Sequence, residues 1–207
     1  MVEQQVSNGF LQINKIAFPW RIVEGIKLFS ISNDRCRAKN GDLLFLGIPF
    51  TDPGRLETIC NIETNLAKKP ELSSQFFYDY FFQHYPMEDF YRKYFIGAVC
   101  PLGLEQNGRN MNYYDNKTLL HNLLEHFIPD NLDKQIEIGC SRKAVICLGE
   151  GTNYSILNKF NEEHQLFEKI IKVAHPRYIM QYKRKSINDY VEQYLHACQL
   201  AERLLLK

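Results

Sequence analysis

The six cysteines of this chain, Cys36, Cys60, Cys100, Cys140, Cys147 and Cys198, include no Cys-x-x-Cys pair. That scatter argues against a zinc ribbon or an iron–sulfur cluster, and reduced thiols in a cytoplasmic protein are its simplest account. No Gly-Lys-Ser/Thr is present, which excludes a P-loop. No apolar run is long enough to cross a bilayer. Glu3 and its polar neighbours stand where a signal peptide needs a basic start and an apolar stretch. The net charge is only +1, so no global field draws in a polyanion, and any nucleic-acid contact has to come from a local patch. Internal repeats and low-complexity linkers are also absent.

What remains is ample for a core: 207 residues with 45% hydrophobic side chains read as one globular domain. Residues 1–41 carry little pattern. Leu11, Ile13 and 16–18 can make a strand ended by Pro19, while 30–41 reads as polar loop. The apolar run 43–46 reads as a buried strand and leads into Gly47-Ile48-Pro49-Phe50-Thr51-Asp52-Pro53-Gly54. Two prolines and two glycines in eight residues make a rigid, irregular loop, able to hold the Phe50 ring in one place. On its own sequence, Phe50 is more simply a core residue under that loop.

Further elements follow in alternation. Arg55 to Asn61 suggests a helical turn, and Ser73 or Ser74 caps a helix with Phe76, Phe77, Tyr80 and Phe81 on one face, a stripe that reads as core. Residues 94–100 form a strand ended by Pro101. Asp115 or Asn116 caps a leucine-rich helix, which Pro129 and Asp130 interrupt before helical spacing resumes at 132–138. Residues 144–148 are the clearest buried strand. They pass through Gly149-Glu150-Gly151-Thr152-Asn153 into another helix, a weak candidate for a phosphate cradle. Strands alternating with helices predict a three-layer α/β/α sandwich around a mainly parallel sheet.

One stretch organises the rest. Ile170, Ile171 and Val173 make a short β-branched strand that ends near Ala174, because His175-Pro176 stops it. A histidine is thereby left at a strand's carboxyl edge, where open α/β sheets bind ligands. Beyond the loop that follows, Lys183, Arg184 and Lys185 form a compact positive cluster with Arg177, Tyr178 and Tyr182 close by in sequence, and cations interleaved with aromatics suit phosphates and unstacked bases. The last helix starts at Ser186, with Asp189 three residues on and 187, 190, 191, 194, 195 and 198 at helical spacing.

Four segments, 47–53, Val99-Cys100-Pro101-Leu102-Gly103, Asn112-Tyr113-Tyr114-Asp115 and 175–183, together resemble the bacterial branch of the single-strand-selective monofunctional uracil-DNA glycosylases. The resemblance runs from about residue 43 to residue 200. It implies a glycosylase-like domain over 43–207, preceded by a divergent region over 1–42 with scope for partial disorder. It implies a monomeric DNA-repair hydrolase acting on single-stranded or uracil-containing DNA. Such an enzyme flips a damaged base from the stack and cuts its N-glycosidic bond with water, without cofactor or metal.

By the same resemblance, His175 donates to O2 of the leaving uracil, Phe50 stacks on the flipped base, and Gly47 and Pro49 shape its pocket. Arg177 and Tyr178 belong to the loop that intrudes on the duplex, with Lys183, Arg184 and Lys185 on phosphates. The family's first motif, Gly-x-Asn-Pro-Gly-Arg, is missing upstream of Gly47, and its asparagine positions the attacking water. Ala98 is also too small to read a pyrimidine edge as an asparagine does in the animal branch. Three accounts fit this departure: Asn33, Asn40, Asp34 or Asp42 supplies the water contact from a remodelled loop; the chain binds DNA without hydrolysis; or 1–42 derive from a shifted reading frame.

Overall fold

The computed structural model describes residues 27–31, 50–65, 67–102, 104–106 and 109–206, with 27–31, 105, 106, 109 and 110 as backbone alone. Its strands are Lys27–Ile31 (β1), Tyr94–Gly97 (β2), Leu104–Gln106 (β3), Arg109–Met111 (β4), Cys140–Leu148 (β5) and Ile170–Val173 (β6). Four of them form one sheet in the order β2-β1-β5-β6, every neighbouring pair parallel, while β3 and β4 pair as a separate antiparallel ribbon. All four carboxyl ends therefore open on the same edge of the sheet.

The helices are Pro53–Thr58 (α1), Leu72–Asp79 (α2), Met87–Lys93 (α3), Lys117–His126 (α4), Ile128–Glu137 (α5), Thr152–His164 (α6), Pro176–Tyr182 (α7) and Ile187–Leu205 (α8). Successive side chains of a strand face opposite ways, and β5 divides its run accordingly. Ala144, Ile146 and Leu148 join a core with Phe76, Phe77 and Phe81 from the region of α2, and Ile179, Val191 and Tyr194 from α7 and α8. Val145 and Cys147 join a second core with Leu123, Ile128, Leu132, Leu157 and Phe160 of α4, α5 and α6. A parallel sheet buried on both faces is the expected α/β/α sandwich.

Several local expectations need correction. Ser30 and Ile31 belong to β1 rather than to a polar loop. β1 lies between β2 and β5, so its partners on both sides complete its backbone hydrogen bonding whatever its own short pattern suggests. The cap of α2 is Glu71, whose carboxylate accepts from the Ser73 and Ser74 N–H groups at 2.9 and 2.7 Å. The break after the leucine-rich helix is present, at Phe127 between α4 and α5, two residues before Pro129. Pro129 itself sits in the first turn of α5, where a missing N–H costs nothing. Asn116 caps α4 as its sequence suggests, by accepting from Leu119 N–H. Ser186 occupies the N-cap position of α8 without a side-chain capping bond. The segment after His175 is the helix α7, not a loop. The strand expectations for 11–18 and 43–46 lie outside the described residues.

Candidate active site

α2 supports one wall of the site. Its Phe77 ring stacks on Phe50, with centroids 5.0 Å apart and planes 14° from parallel. Phe50 has φ +55°, a left-handed conformation that costs a bulky residue about 1–3 kcal/mol and persists only where the surroundings over-determine it. The next two residues supply that determination. Thr51 Oγ1 and the Tyr78 hydroxyl are hydrogen-bonded at 2.9 Å, and Asp52 N–H donates to Ser74 Oγ at 3.2 Å. Asp52 also caps α1 by accepting from Arg55 N–H, and the Arg55 guanidinium bridges Asp52 to Asp79 at the far end of α2. Burial pushes the Asp52 carboxyl up, but its bonds from Arg55 and Ser74 outweigh this and hold it below the usual range. The loop is fastened to α2 along the helix's whole length.

His175 forms the other wall. Gly149 N–H donates to Val173 O at 2.8 Å, in a turn where φ +124° requires glycine, and the Tyr194 hydroxyl donates to Ala174 O at 2.6 Å. Two carbonyls immediately before the histidine are thus fixed by α8 and by the turn after β5. His175 itself is the N-cap of α7: its Nδ1 accepts from Arg177 N–H at 3.2 Å. A neutral imidazole accepting at Nδ1 carries its proton on Nε2. Desolvation, helped by the Arg177 charge and opposed by Glu71, lowers the His175 pKa from 6.5 to about 4. The ring is therefore a neutral Nε2–H donor at pH 7. It meets Phe50 edge to face, with centroids 6.3 Å apart and planes at 77°.

Beyond His175, α7 buries Pro176, Ile179 and Met180 and turns Arg177, Tyr178, Gln181 and Tyr182 outward. Lys183 and Lys185 are exposed just past its end. Arg184 behaves differently: its Nε donates to Met180 O at 2.8 Å and its Nη2 to Gln75 Oε1 at 3.4 Å, which ties the end of α7 to α2.

The family model for the uracil DNA glycosylase superfamily matches residues 25–199. The chain belongs to that superfamily. Its fold is similar to that of the crystal structure of wild-type Pedobacter heparinus SMUG2, at 36% identity, over 86% of this chain and 77% of that one, with a TM-score of 0.76. This likeness is that of a SMUG-type member of the superfamily. No curated protein matches significantly.

Within this glycosylase fold the anticipated residues fall into three groups. His175 and Phe50 come together across the site, edge to face. Arg177, Tyr178, Lys183 and Lys185 share the outer side of α7 and the turn after it, and Arg184 lies beside them with its guanidinium engaged by the protein. Gly47 and Pro49 lie outside the described residues, as do Asn33, Asp34, Asn40 and Asp42.

Motif reading alone missed the supporting side chains. Tyr194 counts in the sequence only as one apolar position of α8, yet it holds the carbonyl before His175. Tyr113, of the Asn-Tyr-Tyr-Asp segment, is wholly buried and donates to Asn153 Oδ1 at 2.8 Å, and Asn153 Nδ2 donates to Leu148 O at 3.4 Å. The suspected phosphate-cradle residue Asn153 is thus committed to linking motif segment and sheet edge. Ala98 contributes through its carbonyl, which accepts from Asn131 Nδ2 and Gln135 Nε2 at 2.9 and 3.0 Å. Gly97 makes room for that amide, since a Cβ there would stand 1.9 Å from Gln135 Oε1.

Proposed function

We propose that this superfamily member excises uracil or a related damaged base from single-stranded or uracil-containing DNA by hydrolysing the N-glycosidic bond as a monomer. The observation that carries this reading is the state of His175, a neutral imidazole whose Nδ1 is held by Arg177 N–H and whose donor is Nε2–H. As the bond to the sugar lengthens, negative charge gathers on the leaving base at O2. A donor fixed in place stabilises that charge without reorganising, which is the largest catalytic contribution such sites make. The Phe50 and His175 rings stand 6.3 Å apart and nearly perpendicular, the first to stack on the base and the second to donate to it. Arg177, Lys183 and Lys185 then supply phosphate contacts that position the strand.

The water contact is assigned to the residues after β1. That strand is parallel to β6 and ends at Ile31, so the chain leaves the sheet at the edge where His175 stands. Asn33 follows that exit by two residues in the sequence. Asn33 is therefore the first substitution to make, followed by Asn40, Asp34 and Asp42.

The missing Asn-Pro-Gly motif favours a second reading, a family member that binds single-stranded or damaged DNA without cutting it. One assay separates the two. A labelled single-stranded oligonucleotide with one uracil is incubated with the protein and then treated with alkali. Cleavage at the uracil by the wild type, lost in Asn33→Ala, supports the enzyme with its remodelled loop. Retardation of the oligonucleotide without cleavage supports the binder.

A further inference from the structure

We propose that Tyr178 and Tyr182 form a stacking platform for an unpaired nucleobase flanking the flipped nucleotide. This rests on the glycosylase reading and adds to it a second base site on the outer face of α7. Among the described residues, Tyr178 and Tyr182 are the only exposed large aromatic side chains, at 44% and 66%. Every other tyrosine and phenylalanine whose side chain is described is at least partly packed. The two stand four residues apart, so they share one side of the helix, and their rings lie 5.5 Å apart at 47°.

A pair of this kind lends an isolated helix only a few tenths of a kcal/mol, which does not account for leaving two phenol rings in water. Their surroundings point to the occupant. Lys183 and Lys185 follow directly, both exposed, so a phosphate-lined strand passing the end of α7 meets cations beside the rings. His175 caps the same helix, and at 1.5 Å rise per residue Tyr178 and Tyr182 lie about 4.5 and about 10.5 Å along the axis from it. Those distances suit bases adjacent to the one held at His175. A base in a duplex has both faces covered by its neighbours, whereas an unpaired base offers a face. The platform therefore favours single strands. Aromatic platforms of this type accept any base, because every base has a π-face.

The test uses the full-length protein and a single-stranded oligonucleotide whose deoxyuridine carries fluorine at C2′, which opposes the cationic sugar and prevents cleavage. The nucleotides on either side of it are thymidine or an abasic spacer. By fluorescence anisotropy, wild-type binding should weaken about tenfold when the flanking bases are removed. Tyr182→Ala and Tyr178→Ala should weaken binding by a similar factor on the thymidine-flanked strand and become indifferent to the spacers. Tyr182→Phe should retain both affinity and spacer sensitivity. Neither alanine variant should change the slope of affinity against salt, whereas Lys185→Ala should lower it by about one. Alanine variants as tight as wild type, or a wild type blind to the flanking bases, would overturn the platform while leaving the glycosylase reading intact. Failure of the wild type to bind either strand would remove both.

Discussion

His175 shows how one side chain can be a cap, a donor and a pH-dependent element at once. Protonation would place a hydrogen on Nδ1, facing the Arg177 N–H that now donates to it, so the cationic ring loses its cap bond. Activity that depends on the neutral ring should stay level from pH 8 to about pH 5 and fall as pH approaches 4, rather than near 6.5. Measured single-turnover rates across that range check this. The same shift has a sign for stability. The folded-state pKa is depressed, so between about 4 and 6.5 the unfolded chain binds more protons, and His175 lowers stability as pH falls through that window. Phe50 makes a contrasting case, since its ring is both site wall and core. Phe50→Ala should cost about 3–5 kcal/mol in urea unfolding, as a buried phenylalanine does. A loss below 1 kcal/mol would show that its stacking on Phe77 is not part of the core.

At the scale of elements, α2 is the common support. It holds the Phe50 loop through Ser74, Phe77, Tyr78 and Asp79, and it holds the end of α7 through Gln75 and Arg184. Arg184→Ala should therefore slow excision with little change in the salt slope of DNA binding, and Gln75→Ala should slow excision by less. A salt slope reduced by about one in Arg184→Ala, at unchanged excision rate, would make it a phosphate contact instead. Little of this was legible beforehand. The sequence shows three adjacent cations, and only the fold shows that the middle one reaches back to Met180 and Gln75. The cap of α4 was legible to within one residue, Asp115 or Asn116 standing before a leucine stripe. The cap of α2 was not, where Glu71 precedes two serines, because a serine caps from outside the helix while here both serines donate N–H groups from within it.

For the whole molecule, alternating strands and helices with short connections were enough to indicate a parallel sheet covered on both faces, and the β-branched run before His175-Pro176 was enough to put that histidine at a carboxyl edge. β1 escaped notice because five residues with one serine and one lysine carry no decisive pattern. Its strand character comes from β2 and β5 on either side. That strand changes the reading of the amino-terminal region, since the family match begins at residue 25 and so includes it. The parallel topology brings the exit of β1 and the cap of α7 to one edge of the sheet.

On the proposed mechanism, His175 accelerates bond cleavage rather than holding DNA. The most direct measurement compares His175→Asn with wild type on a single-stranded uracil oligonucleotide, by single-turnover excision rate and by equilibrium binding. Asparagine is a good helix cap and keeps α7 started, so folding is preserved. Excision about 10²- to 10³-fold slower at nearly unchanged affinity is the predicted result. Equal losses of rate and affinity, or an excision rate that does not change, would contradict it.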